Sequence, residues 1–372
     1  MKLGILCYPT SGGSGVVATE LGAALAERGH EVHVVSYRRP FRIGPVSDRF
    51  HFHKVEIPMY PLFEYPSYGL AAAALMAKVV DEFELDILHV HYAYPHAVSA
   101  YLARRMSHRR HLKIVTTLHG TDIMLVREDE SFASLTRFGI LESDAVTAVS
   151  AFLRDTTCEG FGIRKQIDVI PNFVDPARFR PAAKRSPGPL RIVHVSNFRP
   201  VKRPLDAIKA FRNLRRTHEA TLRMIGIGPE QATARALAKK LGVLPYVEFP
   251  GEEKQIERVL AESDVLLSTS EFEGFGLAPL EAMAVGLPVV ATRAGGISEV
   301  VVEGVTGLLA DVGDVEGLAG RLRTLIDKPL VARRLGEAGR QRATKKFALD
   351  RIVPQYERVY RRLARGEAVA HA

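Results

Sequence analysis

The chain has 372 residues, 47% apolar and 25% charged, with two cysteines and a net charge of +9. That length favours two domains over one large core and that composition excludes disorder, while no apolar run approaches the roughly 20 residues a spanning helix needs. The basic residues fall in scattered pairs such as Arg38-Arg39, Arg104-Arg105 and Arg361-Arg362, without aromatic platforms between them. This argues against nucleic acid as a partner and suits an enzyme with anionic substrates.

In chain order, the start reads as a first strand over 3–7, because its apolar run is too short for a secretory leader. Cys7 and Cys158 read as two thiols of a reducing cytoplasm. Further strands are predicted over 32–36, 52–57, 86–90, 114–118, 145–149 and 168–170, and helices over 15–28, 70–82, 95–106 and 132–142. Near-continuous apolar strands between helices predict a parallel sheet covered on both faces. A proline-rich stretch then breaks the pattern. It restarts with strands over 191–195, 221–225, 247–249, 264–268 and 288–292 and helices over 205–214, 230–240, 253–262 and 277–285, before closing helices over 315–326, 331–346 and 351–365. The expected division is 1–172 as a first domain, 173–189 as a linker, 190–350 as a second domain and 351–372 as a C-terminal helix and tail. The fold class is α/β: two doubly wound Rossmann-like domains facing across a cleft, with ligands beyond the carboxyl ends of the strands.

Gly12-Gly13-Ser14-Gly15 follows the first strand and opens a helix, so backbone N–H groups there suit a phosphate or sugar. Gly13-x-Gly15-x-x-Ala18 also matches a dinucleotide fingerprint, and Tyr37-Arg38-Arg39 after the second strand would suit a 2′-phosphate. An NADP-dependent oxidoreductase is therefore a competing reading, weakened by the long turn Pro9–Gly12.

The second half carries a fuller set. Ser196-Asn197-Phe198-Arg199-Pro200-Val201-Lys202-Arg203 leaves a strand's carboxyl end, and its cations suit a diphosphate leaving group. Glu273-Gly274-Phe275-Gly276 follows another strand and Glu281 stands in the next helix. Carboxylates accept bonds from vicinal hydroxyls, and the two glycines allow close approach at a helix N-terminus.

The spacing Glu273-x7-Glu281 resembles the Glu-x7-Glu motif of the retaining glycosyltransferase family 4, which has the GT-B fold. Gly226-x-Gly228-Pro229-Glu230, Ala282-Met283-Ala284, Gly295-Gly296 and Pro171-Asn172-Phe173-Val174-Asp175 are similar to the same family. The resemblance implies that Glu281 holds the ribose of UDP, that Glu273 lies beside the transferred sugar, and that Lys202 and Arg199 hold the diphosphate. Many members have arginine where this chain has Asn197, and Arg199 would compensate. Further blocks, Cys7-Tyr8-Pro9, His89-Val90-His91-Tyr92-Ala93 and Thr116-Thr117-Leu118-His119-Gly120-Thr121-Asp122, are similar to a subgroup that opens bacillithiol biosynthesis. It transfers N-acetylglucosamine from UDP-N-acetylglucosamine to L-malate.

That resemblance implies His119 near the reacting carbon, with Gly13 and Ser14 assisting donor and acceptor alike. Malate is a dianion, so Tyr92, Thr116 and Arg137 are its expected contacts. Other expected acceptors are inositol phosphate or a lipid. For a lipid, the only hint is the aromatic stretch 58–66, whose prolines argue against a membrane-seated helix. Neither a cofactor nor a metal is expected: His51, His53, His89 and His91 lack partners at tetrahedral-site spacing along the chain. The expected partners are thus the two small substrates, with no stable membrane association, and there is room for a homodimer.

Overall fold

The computed structural model describes residues 1–10, 12–42, 47–57, 67–109, 111–124, 129–182 and 188–366. It divides into one unit of Met1–Pro171 plus the chain from Ile352, and a second of Asn172–Arg351. The aromatic stretch 58–66 and the tail beyond 366 lie outside the described residues. Among those described, no helix is long and apolar enough to cross a membrane.

In the first unit seven strands form one sheet: β1 (Lys2–Leu6), β2 (Glu31–Ser36), β3 (Phe50–Lys54), β4 (Ile87–His91), β5 (Lys113–Leu118), β6 (Ala145–Ala148) and β7 (Ile167–Val169). Their order is β3-β2-β1-β4-β5-β6-β7, and the neighbours run parallel. The second unit repeats the plan with β8 (Leu190–Val195), β9 (Ala220–Ile225), β10 (Val247–Gly251), β11 (Val265–Ser268), β12 (Val289–Thr292) and β13 (Gly307–Ala310), ordered β10-β9-β8-β11-β12-β13. Both are doubly wound, Rossmann-like sheets, as the motifs implied. The strand order reverses between β1 and β4 and again between β8 and β11. There the connecting helices leave on opposite faces, and a crevice opens at the strands' carboxyl ends.

Among the elements not expected are β13, helix Ala151–Phe161 and the four-residue helices Thr121–Met124 and Ile297–Val300. β13 is the four-residue run Gly-Leu-Leu-Ala, too short to show a period. Helix Ala151–Phe161 buries only Leu153, Thr157 and Phe161, so its polar residues hide the pattern. Its ends are well marked: Ser150 caps it through a bond from the Leu153 N–H, and Gly162 closes it at φ +60°.

The connector expected over 173–189 is, in its described part, packed into the second unit. Phe173, Val174 and Phe179 are each about 1% exposed, and Val174 bridges to Ala348. The final helix, Leu349–Ala364, passes from the second unit into the first at Arg351–Ile352, with Pro354 just beyond. Within the first unit it buries Tyr356, Glu357 and Tyr360. Glu357 accepts two bonds from the Arg28 guanidinium at 3.0 and 2.9 Å and one from His30 Nε2 at 3.1 Å. Tyr360 Oη meets His89 Nδ1 at 2.7 Å, and Arg362 pairs with Asp168 at 2.7 Å.

The Arg28 hydrogen bonds hold the Glu357 carboxyl at about 2, below its usual 4.5. A depressed acid stabilises the folded chain fully above the unfolded pKa, and that contribution fades as pH falls through the folded one. The shift is worth at most about 3 kcal/mol, less in practice because Arg28 is partly in water. The stability advantage of wild type over Glu357→Gln, read from urea unfolding, should therefore be full above pH 4.5 and shrink toward pH 2. An advantage that does not change over that range would show that the ion pair contributes nothing.

Candidate active site

The second unit's crevice is built from three loops at the carboxyl ends of β8, β11 and β12. After β8 the chain turns through Ser196–Arg203. Its backbone lies against two glycines: a Cβ on Gly226 would sit 1.9 Å from the Ser196 carbonyl oxygen, and one on Gly228 would sit 1.8 Å from that of Asn197. Gly226 also has φ +118°, so nothing larger is accommodated. Phe198 is fully buried and anchors the loop, held at φ +45° with its carbonyl accepting from the Glu230 N–H. His194 links the loop to the sheet through Leu267 O at 3.0 Å and Ser196 Oγ at 2.9 Å, and burial pushes its pKa down to about 4.

The loop after β11 brings Glu273 to Lys202. Lys202 Nζ lies 2.6 Å from Glu273 Oε1, which also accepts from Ser270 Oγ at 2.8 Å. The two side chains are 22% and 18% exposed, so the pair stands at the surface of the unit while its backbone is braced from below. Thr269 Oγ1 donates to the carbonyls of Lys202 and Arg203, and the Glu271 N–H donates to that of Val201. From β12, Gly296 N–H donates to Glu273 O, and a Cβ on Gly296 would stand 2.3 Å from Gly274 O. Gly276, at φ +101°, opens helix Leu277–Ala284, and Glu281 is buried within that helix, 3% exposed.

These positions bring together Ser196, Asn197, Lys202 and Glu273 at the β8/β11 switch, with Gly274, Gly276 and Glu281 following in the chain. Asn197 Oδ1 is buried with no hydrogen-bond partner among the described residues. A buried acceptor left so costs about 1–3 kcal/mol, which makes it a place where a ligand donor is favoured. Arg199, on the same loop, is exposed. Two expectations change. Phe275 is 3% exposed and packs edge-on against Phe347, with ring centroids 5.6 Å apart, so its side chain is core and only its backbone faces the loop. Arg203 is committed to Asp206 at 2.6 Å and leans on Glu271 at 3.5 Å, which removes one cation from those expected for a diphosphate.

The first unit's crevice joins the glycine loop to the ends of β4 and β5. Gly15 is required, since a Cβ there would lie 2.3 Å from Tyr8 O. Gly13 is exposed at the start of the helix, while Ser14 Oγ is 2.7 Å from Tyr92 Oη across the β1/β4 switch. Tyr92 is held at φ +97°, an unusual conformation for a side-chain-bearing residue and one stored preferentially at functional sites. Its ring and those of Tyr37, Tyr68 and His96 surround Tyr8, whose centroid lies 4.4 Å from that of His96 and 5.6 Å from that of Tyr92.

His119 follows β5 and meets His91 Nδ1 through its Nε2 at 2.8 Å. Burial lowers the His119 pKa to about 3, so the ring is a neutral hydrogen-bonding group rather than a cation. Asp122 ties the two turns together, accepting from the N–H groups of Ala93, His119 and Gly120 at 3.0–3.1 Å. Burial outweighs those three bonds and raises its pKa to about 6. Sequence reading assigned Asp122 no role. Its signal was its place in the run His119-Gly120-Thr121-Asp122, where a side chain reaches back to its own turn.

Two expected acceptor contacts are corrected. Thr116 is fully buried and bonds Ser143 Oγ at 2.7 Å, because strand alternation turns it to that face of the sheet, while Thr117, equally buried, takes the opposite face with His89 and Thr147. Arg137 donates to Phe161 O at 3.3 Å, at the C-terminus of helix Ala151–Phe161. That helix runs back toward the start of β7, so the guanidinium stands away from the strands' carboxyl ends.

Two successive Rossmann-like units of this strand order are the frame of the GT-B glycosyltransferases. Residues 11–178 match the model for "Glycosyltransferase Family 4" and 177–342 that for "Glycosyl transferases group 1". The chain is 45% identical, over 97% of its length and 96% of the relative's, to the N-acetyl-alpha-D-glucosaminyl L-malate synthase of Bacillus anthracis. It is 31% identical, over 75% of each chain, to a GDP-mannose-dependent phosphatidylinositol monomannoside mannosyltransferase of Mycolicibacterium smegmatis. The chain belongs to glycosyltransferase family 4. The sucrose-phosphate synthase of Thermosynechococcus elongatus superposes with a TM-score of 0.85 at 21% identity, covering 98% of this chain and 100% of that one. Anabaena HepE in complex with UDP and glucose does so at 0.80 and 20%, covering 96% and 99%; both show the shared fold.

Proposed function

We propose that this glycosyltransferase moves N-acetylglucosamine from UDP-N-acetylglucosamine to the hydroxyl of L-malate, with retention at the anomeric carbon. The observation that carries the reading is the 45% identity sustained over 97% of the chain with a relative of that activity. The donor would lie on the second unit, its diphosphate at Lys202 and Arg199, its ribose at Glu281, and its sugar beside Glu273 and the backbone of Gly274 to Gly276. Phosphate is favoured there because Lys202 supplies a charge-assisted bond and the helix from Leu277 presents unpaired N–H groups.

In the reaction the bond from the anomeric carbon to the diphosphate oxygen breaks, the malate hydroxyl oxygen bonds to the same face, and the departing phosphate takes the hydroxyl proton. Lys202 and Arg199 would stabilise the charge growing on that leaving group. His119, neutral by burial, would serve the sugar as a hydrogen-bond partner. On the first unit the Tyr92 hydroxyl, Ser14 and the Gly13 N–H supply donors for a small dicarboxylate, without help from Thr116 or Arg137. A cytoplasmic location belongs to this reading as well.

UDP release from UDP-N-acetylglucosamine should be stimulated by L-malate and not by inositol phosphate or a lipid acceptor, with the product mass that of the sugar joined to malate. Release driven by inositol phosphate while malate is inert would discard the malate assignment.

A further inference from the structure

At the β3 end of the first sheet, β2 and β3 carry four ligand-type side chains on one face. The register pairs His33 with His51 and Val35 with His53, and alternation puts Glu31 on the same side as His33. The His33 and His51 rings stand 4.7 Å apart, and Phe83 closes over His33 at 4.3 Å. His33 Nε2 lies 3.4 Å from Glu31 Oε1, and His51 Nε2 lies 3.9 Å from the same oxygen. Glu31, His33 and His51 each offer one ligand atom, all within 4.8 Å of one another. Tetrahedral zinc with bonds of 2.0–2.1 Å separates its ligands by about 3.3 Å, so the Glu31–His33 pair is already spaced for it and the two pairs that involve His51 need a rotation of that ring.

We propose that Glu31, His33 and His51 form a binding site for a divalent transition-metal ion, zinc in the first instance. His53 completes the arrangement from outside. Its Nε2 is 2.9 Å from His33 Nδ1, and when His33 donates there its Nε2 lone pair points at Glu31. In that tautomer Nε2 and the Glu31 carboxylate offer a cation two lone pairs, where the other tautomer joins them by a hydrogen bond; orienting a ligand histidine through its far nitrogen is the usual outer-shell device. His33 is fully buried, whereas Glu31 and His51 keep 33% and 41% of their side chains in water, which gives the ion an entry path. The site sits toward the amino ends of β2 and β3, while Ser14, Tyr92 and His119 lie beyond carboxyl ends. Its effect is therefore on the edge strand β3, which the metal would staple to β2.

Titration of the chelator-treated full chain with zinc chloride, followed by calorimetry and by thermal unfolding, tests this. One equivalent should bind saturably and raise the midpoint. The Glu31→Gln/His51→Ala variant should bind at least tenfold more weakly and show no such rise, while keeping its transferase activity. His53→Gln should lose about 10–100-fold through the outer shell alone. Absence of saturable binding by the wild type, or unchanged affinity and stoichiometry in the double variant, overturns the proposal.

Discussion

Lys202→Ala should lower kcat for the sugar transfer by about 10²–10³-fold, the usual cost of removing one donor aimed at developing charge. Nζ is 2.6 Å from Glu273 Oε1, and both loops are braced through their backbones, so the loss should fall on chemistry more than on folding. The charge on a departing diphosphate grows as the glycosidic bond lengthens. A group that meets it mainly in the transition state moves kcat, whereas one that binds ground and transition states alike moves KM. Steady-state kinetics in UDP-N-acetylglucosamine at saturating malate separates the two. Turnover within a few-fold of wild type would remove Lys202 from the leaving-group role. Glu273 keeps Ser270 Oγ at 2.8 Å in the variant, so the carboxylate is not stranded.

The second large effect is expected from Gly226→Ala, at a position far in sequence from every charged group of the site. The added methyl would meet Ser196 O at 1.9 Å and would require φ +118° of an alanine. Backbone cannot yield as a side-chain tip can, so the Ser196–Lys202 loop must shift. Overpacking and left-handed strain each cost about 1–3 kcal/mol. The outcome should be a lower unfolding midpoint together with a donor kcat/KM reduced at least tenfold, as Lys202 and Asn197 leave their places. A variant as active and as stable as wild type would mean that the loop is not held from beneath in the way the contacts indicate.

Much of the frame was readable from residues alone. Parallel strands buried on both faces must be nearly all apolar, and β12, Val-Val-Ala-Thr with all four residues buried, shows why the alternation with helices was so plain. Short or half-hidden elements escaped, as β13 and helix Ala151–Phe161 did. The Glu273 to Glu281 interval and the basic loop were visible as motifs with chemical meaning. Their union was not visible, since Lys202 and Glu273 are 71 positions apart and meet because β8 and β11 are hydrogen-bonded neighbours.

The first unit shows the limit more sharply. Thr116 and Thr117 are equivalent on paper, yet a strand's period of two sends one to Ser143 on one face and the other to His89 and the last helix on the opposite face. The histidines of β2 and β3 likewise appear unpartnered along the chain and become a cluster through register.

By itself, then, the sequence determined two doubly wound sheets and the residue types of the loops after β8 and β11, because periodicity and local turn chemistry are properties of neighbouring residues; the family followed from the resemblance of its motifs. Tertiary structure alone decided that Asp122 binds the turns after β4 and β5 together, that Phe275 and Thr116 are core, and that the last helix belongs to the first unit through Glu357 and Tyr360. Those outcomes depend on which strands lie side by side and which face each residue takes. Strand order and packing set these, and no local pattern encodes them.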